Sequence, residues 1–534
     1  MRVALASAAL ALTAAPATAA PPSVIRTGGP SAPGDAKVAI VASAQSLAGK
    51  RFRVLDASGA VVLSGKLVRA PGVAAPWRRA AQADLSAVTT PGSYRIAVGR
   101  LRSRPWVVDE RGSADAIAAM LQFFAANSDG DEPSPVHGPS HLNDAMVASG
   151  PYGGQRFDLT GGWMDAGDMV KFTQTIAHSA ALLQAAARLD PDQADGLNAA
   201  ADVGVRWLVK AHPRPDLFIG QVGDTRDHDV GFRDPATDDA SSDPGIGTRL
   251  AYPATGGDLG GKAAVALALA AQRTGSGELL TQAREWYAMG DAAAAPSRGL
   301  PGGFYDNAAY VDDMAAGAAE LYRATGEQQF LSDALDYLKG AQLDAAFGWD
   351  EFGGFAAADI CGLLGATALD PGTCSLLGDA GIAARARSRR DAFGMPAAFG
   401  WGVTAESAAA GLSGLMAERA GQLPGGARVA AGARDYLLGR NPWGASFIVG
   451  YGPRSPRHPH HWASVFGPAK PAGAVVGGPA PMSAVRRQKL KIRRNVFSTS
   501  RAFYTDDVND YVTSEPAIDY TADSILLLAA LRGR

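Results

Sequence analysis

The 534-residue sequence predicts a mostly α-helical protein preceded by a small β-sandwich. Three observations lead there. Short β-type runs occupy the first hundred residues, the hydrophobic period changes after Ser113, and alanine-rich helical stretches fill the rest. The length is that of more than one domain.

In the β region, residues 38–41, 51–55, 61–63 and 94–98 are short β-type runs. Asp56-Ala57-Ser58-Gly59 and Thr90-Pro91-Gly92 supply turns between them. That spacing predicts a sandwich, with 104–108 as its last strand and a boundary at Arg111-Gly112-Ser113. Beyond it, Ile117, Met120, Leu121 and Phe124 share one helical face, with Ser113 as N-cap and Asp115 in the first turn. Leu331, Leu335 and Leu338 repeat the pattern, as does the run from Ile518 to Leu531. Alanine favours helix at 175–189, 198–211, 258–273, 278–294, 312–325 and 403–420. Four long stretches, 128–164, 212–257, 345–400 and 439–514, read as loops, and loops of that length are usually functional.

Composition bounds the class. Hydrophobic residues make up 47% and the formal charge is −2, so the balance carries no footprint of nucleic acid or an anionic membrane as partner. Aromatics are only 7%, so small residues must pack the helices closely. Residues 1–19 read as a secretory signal: Arg2, an apolar run over 3–15, then Ala17-Thr18-Ala19. The expected domains are therefore this signal, a sandwich at 20–111 and a catalytic domain at 112–534. A secreted or periplasmic monomer is expected. The two cysteines, Cys361 and Cys374, suit either a local disulfide or two buried thiols.

Two acidic stretches carry the candidate chemistry. Asp165 and Asp168 in Gly-Gly-Trp-Met-Asp-Ala-Gly-Asp would share one face of a helical turn, near N–H groups that favour the ionised form. The same pair suits plain helix capping. Glu515 precedes the apolar C-terminal helix, where contact with apolar surface raises a carboxyl's pKa, although a first-turn acid looks identical in sequence. One protonated and one ionised carboxyl are what hydrolysis of a glycosidic bond requires. A third block runs from Asn441 to Trp462 and holds His458, His460 and His461. These fit hydrogen bonds to sugar hydroxyls at least as well as a metal. Trp443 and Trp462 could stack on sugar rings or fill a core.

These blocks resemble glycoside hydrolase family 9. Asp165-Ala166-Gly167-Asp168 matches its first signature. Ser446, Phe447, Gly450, Gly452, Pro456, Pro459, His460 and His461 match the second; Tyr504, Asp506, Tyr511, Glu515 and Ala517 match the third. The resemblance implies an (α/α)6 barrel, with residues 37–108 similar to the immunoglobulin-like module of one branch. It also implies inverting hydrolysis of β-1,4-glucan by an endoglucanase-like enzyme. Asp168 would be the base, Asp165 would hold the water, Glu515 would be the acid, and His460 and Asp506 would serve substrate contact and site organisation. Trp163, His228, Trp401, His461, Trp462 and Tyr511 are the expected sugar contacts.

The chain departs from the pattern at Trp462, where an Arg is usual, and at Ala316 and Gly231, where Trp is usual. Thr521 stands for an Asn. Ser128 and Ser140 replace two cysteines beside His137 and His141, which speaks against zinc. Asp258 aligns with one ligand of a possible structural calcium. No cofactor is required. Exo-acting cleavage of cellodextrins or glucosaminides, or sugar binding without catalysis, are the rival readings.

Overall fold

Strand Arg51–Leu55 alternates exposed and buried side chains, the pattern of a sheet with one face on a core. The computed structural model, which describes residues 21–243, 245–343 and 347–533, builds two such sheets at the N-terminal end. The predicted secretory signal at 1–19 lies outside the described residues. One sheet runs Val24–Arg26, Val38–Ser43, Arg79–Asp84, Val68–Arg69. The other runs Val61–Lys66, Arg51–Leu55, Gly92–Val98, Leu101–Arg102, with Trp106–Val108 also paired to Gly92–Val98. Ile25, Val41, Phe52, Val54, Ile96 and Trp106 fill the space between them. Strand Arg79–Asp84 escaped the sequence analysis because Arg-Ala-Ala-Gln-Ala-Asp has no β-type residues. Six pairings with Val38–Ser43 hold it there, so context overrides propensity.

From Ala114 onward, the described residues form twelve α-helices of eight residues or more. Six are almost wholly buried: Thr173–Leu189, Gly257–Thr274, Val311–Thr325, Gly353–Ile360, Val403–Arg419 and Ile518–Arg532. Each of the other six packs outside this inner ring, giving an (α/α)6 barrel. Small residues permit the packing. A Cβ on Gly261 would sit 2.3 Å from the backbone carbon of Asp313, so two inner helices meet there almost backbone to backbone.

The stretch 345–400, expected as a loop, holds the helices Gly353–Ile360 and Leu377–Ser388, and Ala427–Leu437 was also not foreseen. Gly-Gly-Phe-Ala-Ala-Ala-Asp-Ile is buried on every side, so it shows no amphipathic period. Cys361 and Cys374 form a disulfide, with Cα atoms 5.3 Å apart, beside that helix. The sandwich is tied to the barrel by an Arg434–Asp35 ion pair and by Arg26, whose guanidinium donates to the Pro442 carbonyl at 2.8 Å.

Candidate active site

The segments entering three inner helices meet at one end of the barrel. Residues 161–170 lead into Thr173–Leu189, residues 400–402 into Val403–Arg419, and residues 504–517 into Ile518–Arg532. They line a cleft of about 490 Å³ that holds Asp168, His228, Phe232, Trp401, His460, Gln488, Tyr511 and Glu515.

The 161–168 stretch is not the helical turn the spacing suggested. It is a series of bends, and the helix starts only at Thr173. The bend separates the two aspartates. Asp165 is buried, and its carboxylate oxygens accept from the Thr175 hydroxyl and the Tyr305 hydroxyl, each at 2.5 Å. Burial, then Asp519, push its pKa well above the usual carboxylate range, against the pull of these two donors. Asp168 faces the cleft. Its Oδ2 meets Nδ1 of His228 at 2.7 Å, and its Oδ1 accepts from the Val170 N–H. That bond raises His228 to about 9, with the charges of Asp168 and Glu515 adding to it.

Glu515 stands three residues before the C-terminal helix. Burial, then the charge of Asp168, lift its carboxyl well above its ordinary range, opposed by His228 and by the Gly167 N–H, which donates at 3.3 Å. Gly167 is required at this crossing: a Cβ there would lie 2.4 Å from the His460 carbonyl oxygen and 2.9 Å from Glu515 Oε1. His460 donates from Nδ1 to the Val508 carbonyl at 2.6 Å, and desolvation lowers its pKa, so Nε2 is left as an acceptor. Asp506 does not line the cleft. Its carboxylate receives the N–H groups of Arg457 and His458 at 2.7–2.9 Å and thereby holds the histidine loop.

Among the expected sugar contacts, His228, Trp401 and Tyr511 line the cleft, and the Trp401 and Tyr511 rings lie 5.7 Å apart. Trp462 borders the same cleft, while Trp163 and His461 are corrected, and Trp443, which could stack or fill a core, fills a core. Trp163 is fully buried against Phe124 and Gly204. Trp462 is 1% exposed and packs with Val136, Met164 and Met169. Trp443 packs against Phe447 and Tyr504. His461 is buried and lies 2.9 Å from Asn127 Oδ1 through Nε2, while its Nδ1 accepts from the Ala463 N–H. Desolvation lowers it to about 3. Trp163, Trp443 and His461 offer no face to a ligand, because packing claimed them first. The sequence analysis in turn missed Tyr305, Phe232, Gln488 and Trp349, whose ring stands perpendicular to Tyr305 at 5.0 Å. No motif marks them. Tyr305 is found only by following Asp165 to its second donor.

The residues beside His141 do not fit zinc. Its ring nitrogens meet Asp129 at 2.8 Å and Asp238 at 3.1 Å, and the Ser140 hydroxyl also goes to Asp129. Burial and Arg249 oppose its charge, but the two aspartates hold it up to about 9, in a knot with Lys171, Arg249 and Asp144. Asp258 does not fit a calcium shell either, since Ser297 occupies both its oxygens at 2.6 Å. Among the described residues no three His, Cys, Asp or Glu side chains are grouped to hold an ion.

Residues 114–528 match the family model of glycosyl hydrolase family 9, and residues 32–103 match that of the cellulase N-terminal Ig-like domain. The chain belongs to glycosyl hydrolase family 9. It is a glycoside hydrolase. It is 29% identical to Endoglucanase 14 of Arabidopsis thaliana, over 79% of this chain and 94% of that one. It is also 29% identical to Endoglucanase A of Bacillus pumilus, over 68% of this chain and 58% of that protein. A mutant of a thermostable endoglucanase from Alicyclobacillus acidocaldarius shares the fold with a TM-score of 0.79 at 24% identity. That match covers 96% of this family 9 chain and all of the other. The endoglucanase of the termite Nasutitermes takasagoensis aligns with a TM-score of 0.64 and 26% identity, over 78% and 98% of the two chains.

Proposed function

We propose that this cleft hydrolyses β-1,4-glucosidic bonds within soluble β-glucan chains by a single displacement with inversion. One observation supports it above the rest: two carboxyls open on one cleft in opposite settings. Desolvation pushes the Glu515 carboxyl well above its ordinary range, while Asp168 lies against His228, raised to about 9. Inversion needs that division of labour, with room for a water between groups about 6.5–9.5 Å apart. In this reading Glu515 protonates the leaving oxygen and Asp168 takes a proton from water attacking the anomeric carbon. Asp165 positions Asp168 and that water, since Thr175 and Tyr305 occupy its own oxygens. Asp506 acts at one remove, through the loop that carries His460.

Attack within the chain is supported by the endoglucanase names of the relatives. A soluble substrate is supported by the buried Ala316, which cannot supply a stacking surface, and by Trp462, which stands where an Arg would contact sugar. Export is supported by the signal-like residues 1–19 and by the disulfide, which persists in oxidising compartments. Among the described residues no helix is long and apolar enough to cross a membrane.

Proton NMR of the first product from cellopentaose tests the reading. The newly formed reducing end should be the α-anomer; a β-anomer would mean retention and would remove Asp168 from the role of base. Random internal cuts in hydroxyethyl cellulose, seen as a rapid fall in viscosity, should accompany it. Release of one terminal unit at a time would favour the exo-acting alternative.

A further inference from the structure

Residues 486–494 read Arg-Arg-Gln-Lys-Leu-Lys-Ile-Arg-Arg, six cations in nine positions of a chain whose formal charge is −2. Among the described residues none of the six forms an ion pair, and all six are exposed. Crowding like charges opposes folding, so the arrangement is costly without an external counter-charge. The strip is also anchored. Lys489 takes a left-handed φ of 57° just after the short helix Met482–Arg487, and Leu490 and Ile492 then turn inward onto a cluster with Val485, Phe503 and Tyr511. Alternation therefore turns Lys489, Lys491 and Arg493 outward.

The strip borders the cleft. Gln488 lines the cleft, and its Oε1 accepts from the Tyr511 hydroxyl at 3.2 Å. The cleft itself mixes Asp168, Asp227, Asp229 and Glu515 with His228 and Arg233, and the strip gives it a basic rim. A neutral glucan makes no use of that rim. Cationic glucosamine oligomers would be repelled along the rim. A chain bearing carboxylates where it passes the strip fits it.

We infer that the 486–494 strip binds carboxylate groups on a β-glucan whose backbone lies in the cleft, so that the enzyme prefers an anionic β-glycan. This rests on the β-glucan reading of the cleft. Charge screening provides the test, because exposed charges lose their reach as the Debye length falls from about 20–30 Å in dilute buffer to a few Å at high salt. Carboxymethyl cellulose and hydroxyethyl cellulose are compared at about 20 mM and about 500 mM NaCl. At low salt the parent should show a KM on carboxymethyl cellulose about five- to tenfold below that on hydroxyethyl cellulose, and high salt should erase the difference.

The triple variant Lys489→Gln/Lys491→Gln/Arg493→Gln should lose the preference at low salt, with turnover of hydroxyethyl cellulose and Tm unchanged. Equal KM values for parent and variant on carboxymethyl cellulose at low salt would overturn the inference. Affinity electrophoresis in gels containing each polymer gives a readout without turnover. Retardation by carboxymethyl cellulose that salt and the triple variant abolish, in a protein that cleaves neither polymer, would support the strip and refute the β-glucan reading. Equal retardation by duplex DNA would overturn the assignment to a glycan.

Discussion

Asp168 and Glu515 come from opposite ends of the catalytic domain and open on one cleft, yet their surroundings differ in kind. Asp168 has a cation, His228, at hydrogen-bond distance and keeps an edge toward solvent. Among the described residues Glu515 has no cation within bonding distance; it receives one long N–H bond from Gly167 and is desolvated beside another carboxyl. Two chemically similar groups thus sit in opposite settings, and desolvation raises Glu515 well above its ordinary range. In the proposed mechanism it is this difference in environment, and not residue type, that separates acid from base.

The harshest way to break that comparison is to remove either group's proton chemistry. Glu515→Gln should lower kcat by about 10²–10⁴-fold with binding of cellodextrins retained, and Asp168→Asn should do the same. Turnover within a few-fold of the parent for either variant would exclude that residue from its role.

Next in size is the support of Asp165. Tyr305→Phe removes one of its two donors, and kcat should fall about tenfold with KM little changed, the value of roughly one 1.4 kcal/mol interaction in the transition state. A loss seen only in KM would make Tyr305 a sugar contact instead.

The pH profile sharpens the comparison further. Activity should fall on the alkaline side as Glu515 loses its proton, and its raised pKa places that limb well above the range of an ordinary glutamate. The charge on His228 pulls Glu515 down, so His228→Asn should move the alkaline limb of kcat/KM upward. A limb that stays in place would show that another group sets it.

The smallest effect concerns Asp519, buried behind Asp165 with neither oxygen bonded and its pKa raised to about 8, first by burial and then by Asp523. The folded protein therefore holds a proton that the unfolded chain releases near pH 4, and stability from this group is lost as pH rises from about 4 to about 8. Asp519→Asn should raise Tm at pH 8 by a few °C and hardly change it at pH 4, followed by calorimetry. Equal gains at both pH values would point to packing instead.

Much of this architecture was legible in the chain. The β-type runs, the helices at 175–189, 258–273 and 403–420, and the three acidic and histidine blocks all needed only local pattern and spacing. The helices Gly353–Ile360 and Leu377–Ser388 were hidden because burial on all sides, or a run of alternating Ala and Arg, leaves no clear stripe. Trp163 and His461 looked like sugar contacts because a motif names residues and not their exposure. Each went to packing or to an Asn127 bond.

The sequence by itself determined the carboxyls available for chemistry, the order of the blocks, and the change from sheet to helix at Ser113, since periodicity and residue type are local properties. Only the tertiary structure decided that the 161–168 bend turns Asp165 inward and Asp168 outward. It alone brought Tyr305 to Asp165, His228 to Asp168, and the 486–494 strip to the rim beside Tyr511. Those relations join residues far apart in the chain through burial and charge, and a pKa is set by what surrounds a group in space.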